Sequence, residues 1–115
     1  MTVTDQSRAA RAVDYHLESA PEIAAARAEL TKREHMLKVV RAMAMRQSGE
    51  KSAAAQEAEA ISSPAYQNAI AELCSAEEEY QKLRALREAA SARIEYWRSL
   101  NANQRSAERG FGSAA

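Results

Sequence analysis

The chain has 115 residues, sixteen basic and sixteen acidic side chains, and a formal net charge of zero. That length holds one domain, and a thin one if it is elongated; three glycines, two prolines, one Trp, four Tyr and one Phe do not supply the turns and strands of a β-sandwich or an α/β fold. Neutrality argues against a protein that works by bulk basicity, and the abundance of Ala, Glu, Arg, Leu and Lys predicts long helices.

The first predicted element is a short amphipathic helix over about residues 5–19, with Val13, Leu17 and Ala20 at helical spacing. Ala20-Pro21 interrupts it, because the residue before a proline is pushed out of the α region. Pro21 then opens a second helix, with Ser19 as N-cap and Glu22 completing a capping box. This helix runs to Gln47. Ile23, Leu30, Leu37 and Ala44 recur every seven residues, Ala26 and Val40 fill the companion slot, and Arg33 interrupts that slot. Met36, Val39 and Met43 widen the apolar stripe, as suits packing against more than one neighbour. Gly49 can end the helix in the left-handed conformation.

Residues 50–63 are Ala-rich and predict a short helix of about ten residues, capped by Ser52 and ended at Ser62-Ser63-Pro64. Ser63 and Pro64 then start a helix of up to about 45 residues, since no further glycine or proline follows before Gly110. Tyr66, Leu73, Tyr80 and Ile94 share one heptad slot, with Arg87 the exception. Ala69, Ala76, Leu83, Ala90 and Trp97 share the other, and Ile70, Leu86 and Leu100 flank the seam. The expected architecture is all-α: a long, coiled-coil-like antiparallel hairpin with a short N-terminal helix and a short helix in the connection. An N-terminal helical segment spans 1–20, the hairpin 21–109 and a flexible tail 110–115. Two helices with many alanines bury little apolar area, so self-association is expected.

The zero net charge conceals blocks. Residues 1–26 carry −2, 27–51 carry +4, 52–80 carry −6 and 81–109 carry +4. The first basic block holds Lys38 and Arg41 as i,i+3 neighbours, then Arg46 and Lys51 on either side of Gly49. The second holds Arg98 and Arg105, interleaved with Tyr96, Trp97 and Asn101. Two readings follow. Glu77-Glu78-Glu79 can face the bases of the second helix and neutralise them internally. Alternatively, assembly of several chains aligns the basic turns into a phosphate-binding surface. In that case Trp97 and Tyr96 are the stacking candidates for a single strand, although Trp97 also fits the heptad seam.

Other chemistry is not indicated. The glycines at 49, 110 and 112 cannot form a phosphate loop. His16 and His35 are isolated, and Glu34-His35 lacks a second histidine four residues on, so no metal or other cofactor is implied. No nucleophile sits beside a base, which predicts a protein that is not an enzyme. Cys74 reads as a small, partly buried filler, without an internal disulfide partner. Residues 1–7 lack the basic and apolar regions of a signal peptide, and no run approaches the roughly 20 apolar residues of a membrane span. A cytoplasmic protein with no membrane contact is expected.

The stretch Met36-Leu37-Lys38-Val39-Val40-Arg41, followed by Arg46 and the break Ser48-Gly49-Glu50-Lys51, resembles the basic helix and glycine-containing connection of the UvsY-type recombination mediators of phages. Ile94-Glu95-Tyr96-Trp97-Arg98-Ser99-Leu100-Asn101-Ala102-Asn103-Gln104-Arg105 is similar to the C-terminal helix of small helical phage and prophage proteins encoded among recombination and single-strand-annealing functions. The likeness covers residues 27–111. It implies a non-enzymatic accessory protein that binds single-stranded DNA as a ring-like oligomer. Such a protein helps load a recombinase onto strands covered by single-strand-binding protein. Lys38, Arg41 and Arg46 carry over by position as DNA contacts, and the charge pattern adds Lys51, Arg98 and Arg105. The alternative is a helical protein-protein adaptor or inhibitor, such as a phage anti-defence or assembly factor. A further alternative is a structural protein of the virion.

Overall fold

Steps of three and four residues dictate where an α-helix buries itself, and on the first helix they persist far longer than the expected element. On the first helix, Ala9, Ala12, His16, Ser19, Ile23, Ala26, Leu30, Arg33, Leu37, Val40 and Ala44 are all buried or half-buried at that spacing. On the last, Tyr66, Ala69, Leu73, Ala76, Tyr80, Leu83, Arg87, Ala90, Ile94, Trp97 and Asn101 follow the same rule. The computed structural model describes the backbone of residues 3–114 and the side chains of residues 4–110. It is an all-α helical hairpin of α1 (Val3–Gln47), α2 (Ala53–Ser62) and α3 (Pro64–Ala114), with no strand among the described residues.

The expected break at Ala20-Pro21 is absent, and α1 passes through Pro21. Ser19 is therefore not an N-cap. It is buried inside the helix, and its hydroxyl donates to the Tyr15 carbonyl at 2.5 Å. An interior proline costs about 3 kcal/mol in a helix, because it lacks the N–H and crowds the preceding turn. Two features offset this. Pro21 lies on the exposed side, and the heptad frame stays in register before and after it, so both stretches keep their buried positions.

That frame also corrects the expected face of the N-terminal stretch. Val13 and Leu17 are exposed, Leu17 at 72%, whereas Ala9, Ala12 and Ser19 are buried. Small side chains on the buried face admit close approach of the facing helix, and continuity of a single helix leaves no freedom to rotate Val13 and Leu17 inward.

The chain forms two compact units, one of Met1–Glu22 with Leu83–Ala115 and one of Ile23–Lys82. In the first, the start of α1 packs antiparallel on α3. His16 meets both Arg87 and Ser91, and Ser19 meets Arg87. In the second, α1 again runs antiparallel to what it meets. Arg27 lies over the Tyr80 ring at 5.5 Å, Arg33 pairs with Glu72, and Arg41 pairs with Glu57 of α2. Leu30 is its most buried large side chain, at 2% exposure, and such burial contributes about 1.5–3 kcal/mol.

Side chains, rather than glycine, make the turns. Gly49 does not adopt the expected left-handed conformation. Instead the Ser48 N–H donates to the Met45 carbonyl at 3.2 Å, the Glu50 N–H donates to Ser48 Oγ at 3.1 Å, and Ser48 Oγ donates to Glu59 at 2.6 Å. Ser52 caps α2 as expected, accepting from the Ala55 N–H at 3.1 Å. Ser63 ends α2 and starts α3: its hydroxyl donates to the Ala60 carbonyl at 2.6 Å and accepts from the Tyr66 N–H at 3.3 Å. Pro64 takes the first helical position, where its missing N–H costs nothing. At the other end, the backbone of α3 stays helical past Gly110 to Ala114. The flexible tail expected over 110–115 falls largely on side chains outside the described residues, as does Ala115 altogether.

Candidate nucleic-acid interface

In the Ile23–Lys82 unit, the heptad places Arg33 on the buried side of α1, where a bare guanidinium would be costly. The fold answers with two carboxylates: Arg33 Nε donates to Glu29 at 2.7 Å and Nη1 to Glu72 at 2.6 Å. Arg41 is ion-paired with Glu57. Internal neutralisation thus occurs, but through Glu72 and Glu57. None of Glu77, Glu78 and Glu79 forms an ion pair among the described residues, and Glu77 accepts from Gln81 instead.

Of the six expected contacts, Lys38, Arg41, Arg46 and Lys51 lie in this unit, and Arg98 and Arg105 in the other. All six are exposed. Arg41 is held by Glu57, and Arg98 by Glu95 at 3.0 Å. Lys38, Arg46, Lys51 and Arg105 have no ion-pair or hydrogen-bond partner among the described residues. Beside Lys38 and Arg46, the apolar side chains Met36, Val39 and Met43 occupy one outward stripe at i, i+3 and i+7, each at least 40% exposed. They find no cover within the unit.

In the unit of Met1–Glu22 with Leu83–Ala115, the second seam arginine is also accommodated. Arg87 Nη1 donates to the His16 carbonyl at 2.8 Å and to Ser19 Oγ at 2.7 Å. His16 Nε2 lies 3.0 Å from the Arg87 carbonyl and 2.9 Å from Ser91 Oγ. His16 is thus half of a polar lock between the two helices. His35 and Cys74 are exposed, so Cys74 is not the partly buried filler expected.

The same unit contains a feature that the charge blocks hide. An open cleft of about 640 Å³ is lined by Arg8, Arg11, Ala12 and Tyr15 of α1 and by Leu86, Ala89, Ala90 and Arg93 of α3. Arg8 and Arg93 also line a smaller hollow of about 110 Å³, with Asp5, Ala9, Tyr96 and Trp97. Arg8, Arg11 and Arg93 lack any ion-pair or hydrogen-bond partner among the described residues. Tyr96 is 62% exposed, while Trp97 is half-buried in the seam. The Tyr15 hydroxyl and Trp97 Nε1 are buried donors without a partner. Sequence reasoning passed over Arg8 and Arg11 because residues 1–26 sum to a negative charge. Their i,i+3 spacing, with Tyr15 four residues beyond Arg11, is the signal that was available.

Among the described residues, no group of three His, Cys, Asp or Glu side chains is placed to hold a metal ion, and no helix is long and apolar enough to cross a membrane. No protein-family model, curated protein or solved structure matches the chain.

Proposed function

We propose that this chain is a non-enzymatic, single-stranded DNA-binding accessory protein of phage or prophage recombination. It acts in the cytoplasm as an oligomer that helps load a recombinase, with the recombinase or a single-strand-binding protein as partner. One observation carries the reading. Arg33 and Arg41 are neutralised within their unit, whereas Lys38, Arg46 and Lys51 stand exposed and unpaired. Unpaired cations on a helix face meet phosphates as point charges and release the counterions that give such binding its salt dependence. The resemblance of residues 27–111 to UvsY-type mediators supports the same assignment. The uncovered stripe of Met36, Val39 and Met43 supports assembly.

The test is binding of a fluorescent oligo(dT) across a salt series. The reading expects tight binding at low salt, a steep loss as salt rises, and abolition by Lys38→Glu/Arg46→Glu/Lys51→Glu. Absence of binding at low salt overturns it. The same Met36, Val39 and Met43 stripe also favours a second reading, an adaptor that seats a partner's amphipathic helix. A solution mass measurement separates the two. Under the mediator reading the chain self-associates without any partner, and Met36→Ser/Met43→Ser lowers its mass to that of the monomer.

A further inference from the structure

We infer that the cleft between the start of α1 and the middle of α3 is a phosphate-backbone site for single-stranded nucleic acid, with Arg8, Arg11 and Arg93 as the phosphate contacts and Tyr96 as the stacking platform. The inference rests on the reading above and adds Arg8 and Arg11, which lie outside both basic blocks and outside the stretch of likeness, to Arg93 and Tyr96 of the second block.

Among the described residues, the cleft holds no paired counter-charge for its arginines. Seam arginines in this protein are systematically answered. Arg33 has two carboxylates, and Arg87 has a carbonyl and a hydroxyl. Arg8, Arg11 and Arg93 are exposed and line one open cavity with no such answer. Three guanidinium groups around one space repel one another unless an anion joins them. A phosphate chain suits them because the planar fork matches phosphate oxygens in bidentate fashion. The only carboxylate lining either hollow is Asp5, which already has a contact.

Single strands need more than charge: a basic groove that tracks the backbone, with aromatic faces for the bases. Tyr96 supplies the exposed ring, one helical turn beyond Arg93 on the same side of α3. From Asp5 to Tyr15 the groove wall on α1 spans ~15 Å at 1.5 Å per residue, room for a few nucleotides. Two further donors bear on the site. The Tyr15 hydroxyl and Trp97 Nε1 are buried and unpartnered, and both residues line these hollows. Native folds rarely leave such donors unmet.

The experiment compares the full chain with Arg8→Gln/Arg11→Gln/Arg93→Gln and with Tyr96→Ala and Tyr96→Phe. Oligo(dT) binding is followed by the fluorescence of Trp97, the single tryptophan, and by anisotropy of the labelled strand. Circular dichroism confirms that each variant keeps its helices. Loss of three phosphate contacts lowers the salt slope by about 2 and weakens binding about 30-fold near 0.2 M salt. Loss of one stacked base by Tyr96→Ala weakens binding about tenfold, and Tyr96→Phe restores it. If the unsubstituted chain binds the strand and the triple variant binds it with the same slope, the cleft assignment is overturned while the DNA-binding reading stands. If the unsubstituted chain does not bind the strand, both fall together. Equal loss in Tyr96→Ala and Tyr96→Phe overturns the stacking role.

Discussion

Arg87→Met tests whether the polar lock in the seam holds the start of α1 against α3. Methionine keeps most of the aliphatic stem and removes two charge-assisted hydrogen bonds, 2.8 Å to the His16 carbonyl and 2.7 Å to Ser19 Oγ. A bond to a charged group contributes about 1.5–3 kcal/mol, so two would suggest more than 3. Both acceptors, however, keep other interactions. Ser19 still donates to the Tyr15 carbonyl, and the His16 carbonyl belongs to a helical turn. Arg87 itself is only half-buried, so water competes for its guanidinium. The expected net cost is about 2 kcal/mol. For 115 residues the unfolding entropy is about 0.24 kcal/mol/K, so Tm falls by about 8 °C. Thermal unfolding by circular dichroism measures this at fixed protein concentration. Ser19→Ala alone costs about 1 kcal/mol, and the double variant costs about the same as Arg87→Met, because the partners act as one unit. The opposite outcome has a physical basis, since an apolar residue in a seam often replaces a polar cluster without loss. If Arg87→Met is as stable as the parent, or if the two substitutions add fully, Arg87 is not locking the helices.

Pro21→Ala restores the missing N–H inside α1 and is expected to stabilise by about 2 kcal/mol, after allowance for the looser unfolded chain. A lower Tm would show that the helix depends on the proline at this point. Ser63→Ala removes the hydroxyl that serves both the end of α2 and the start of α3, and should cost about 1 kcal/mol or about 4 °C in Tm. A change confined to local hydrogen exchange around residues 60–67, with no shift in Tm, would refute a role for this cap in global stability.

Much of the fold was legible because its signals are local. Ser52 and Ser63-Pro64 cap their helices with atoms that lie within three residues, and the heptad of α3 reads correctly from Tyr66 to Trp97. Pro21 misled for the same reason. Its local penalty is real, but the register on either side of it is kept by contacts tens of residues away in sequence. The candidate site was less legible. Arg8 and Arg11 sit in an acidic block, and only the antiparallel packing brings them to Arg93, more than 80 residues later.

By itself, then, the sequence determined an all-α hairpin, its turn at residues 48–63 and the inner face of α3, since composition, capping and heptads act within a turn or two of helix. It also determined that net neutrality hides blocks of charge. Tertiary structure decided the rest. It carried α1 through Pro21, turned Val13 and Leu17 outward, gave Arg33 and Arg87 their partners, and left Arg8, Arg11 and Arg93 around an open cleft. Whether a cation is answered or left free depends on which residue the second helix brings opposite it, and that pairing is set by the packing of the whole seam.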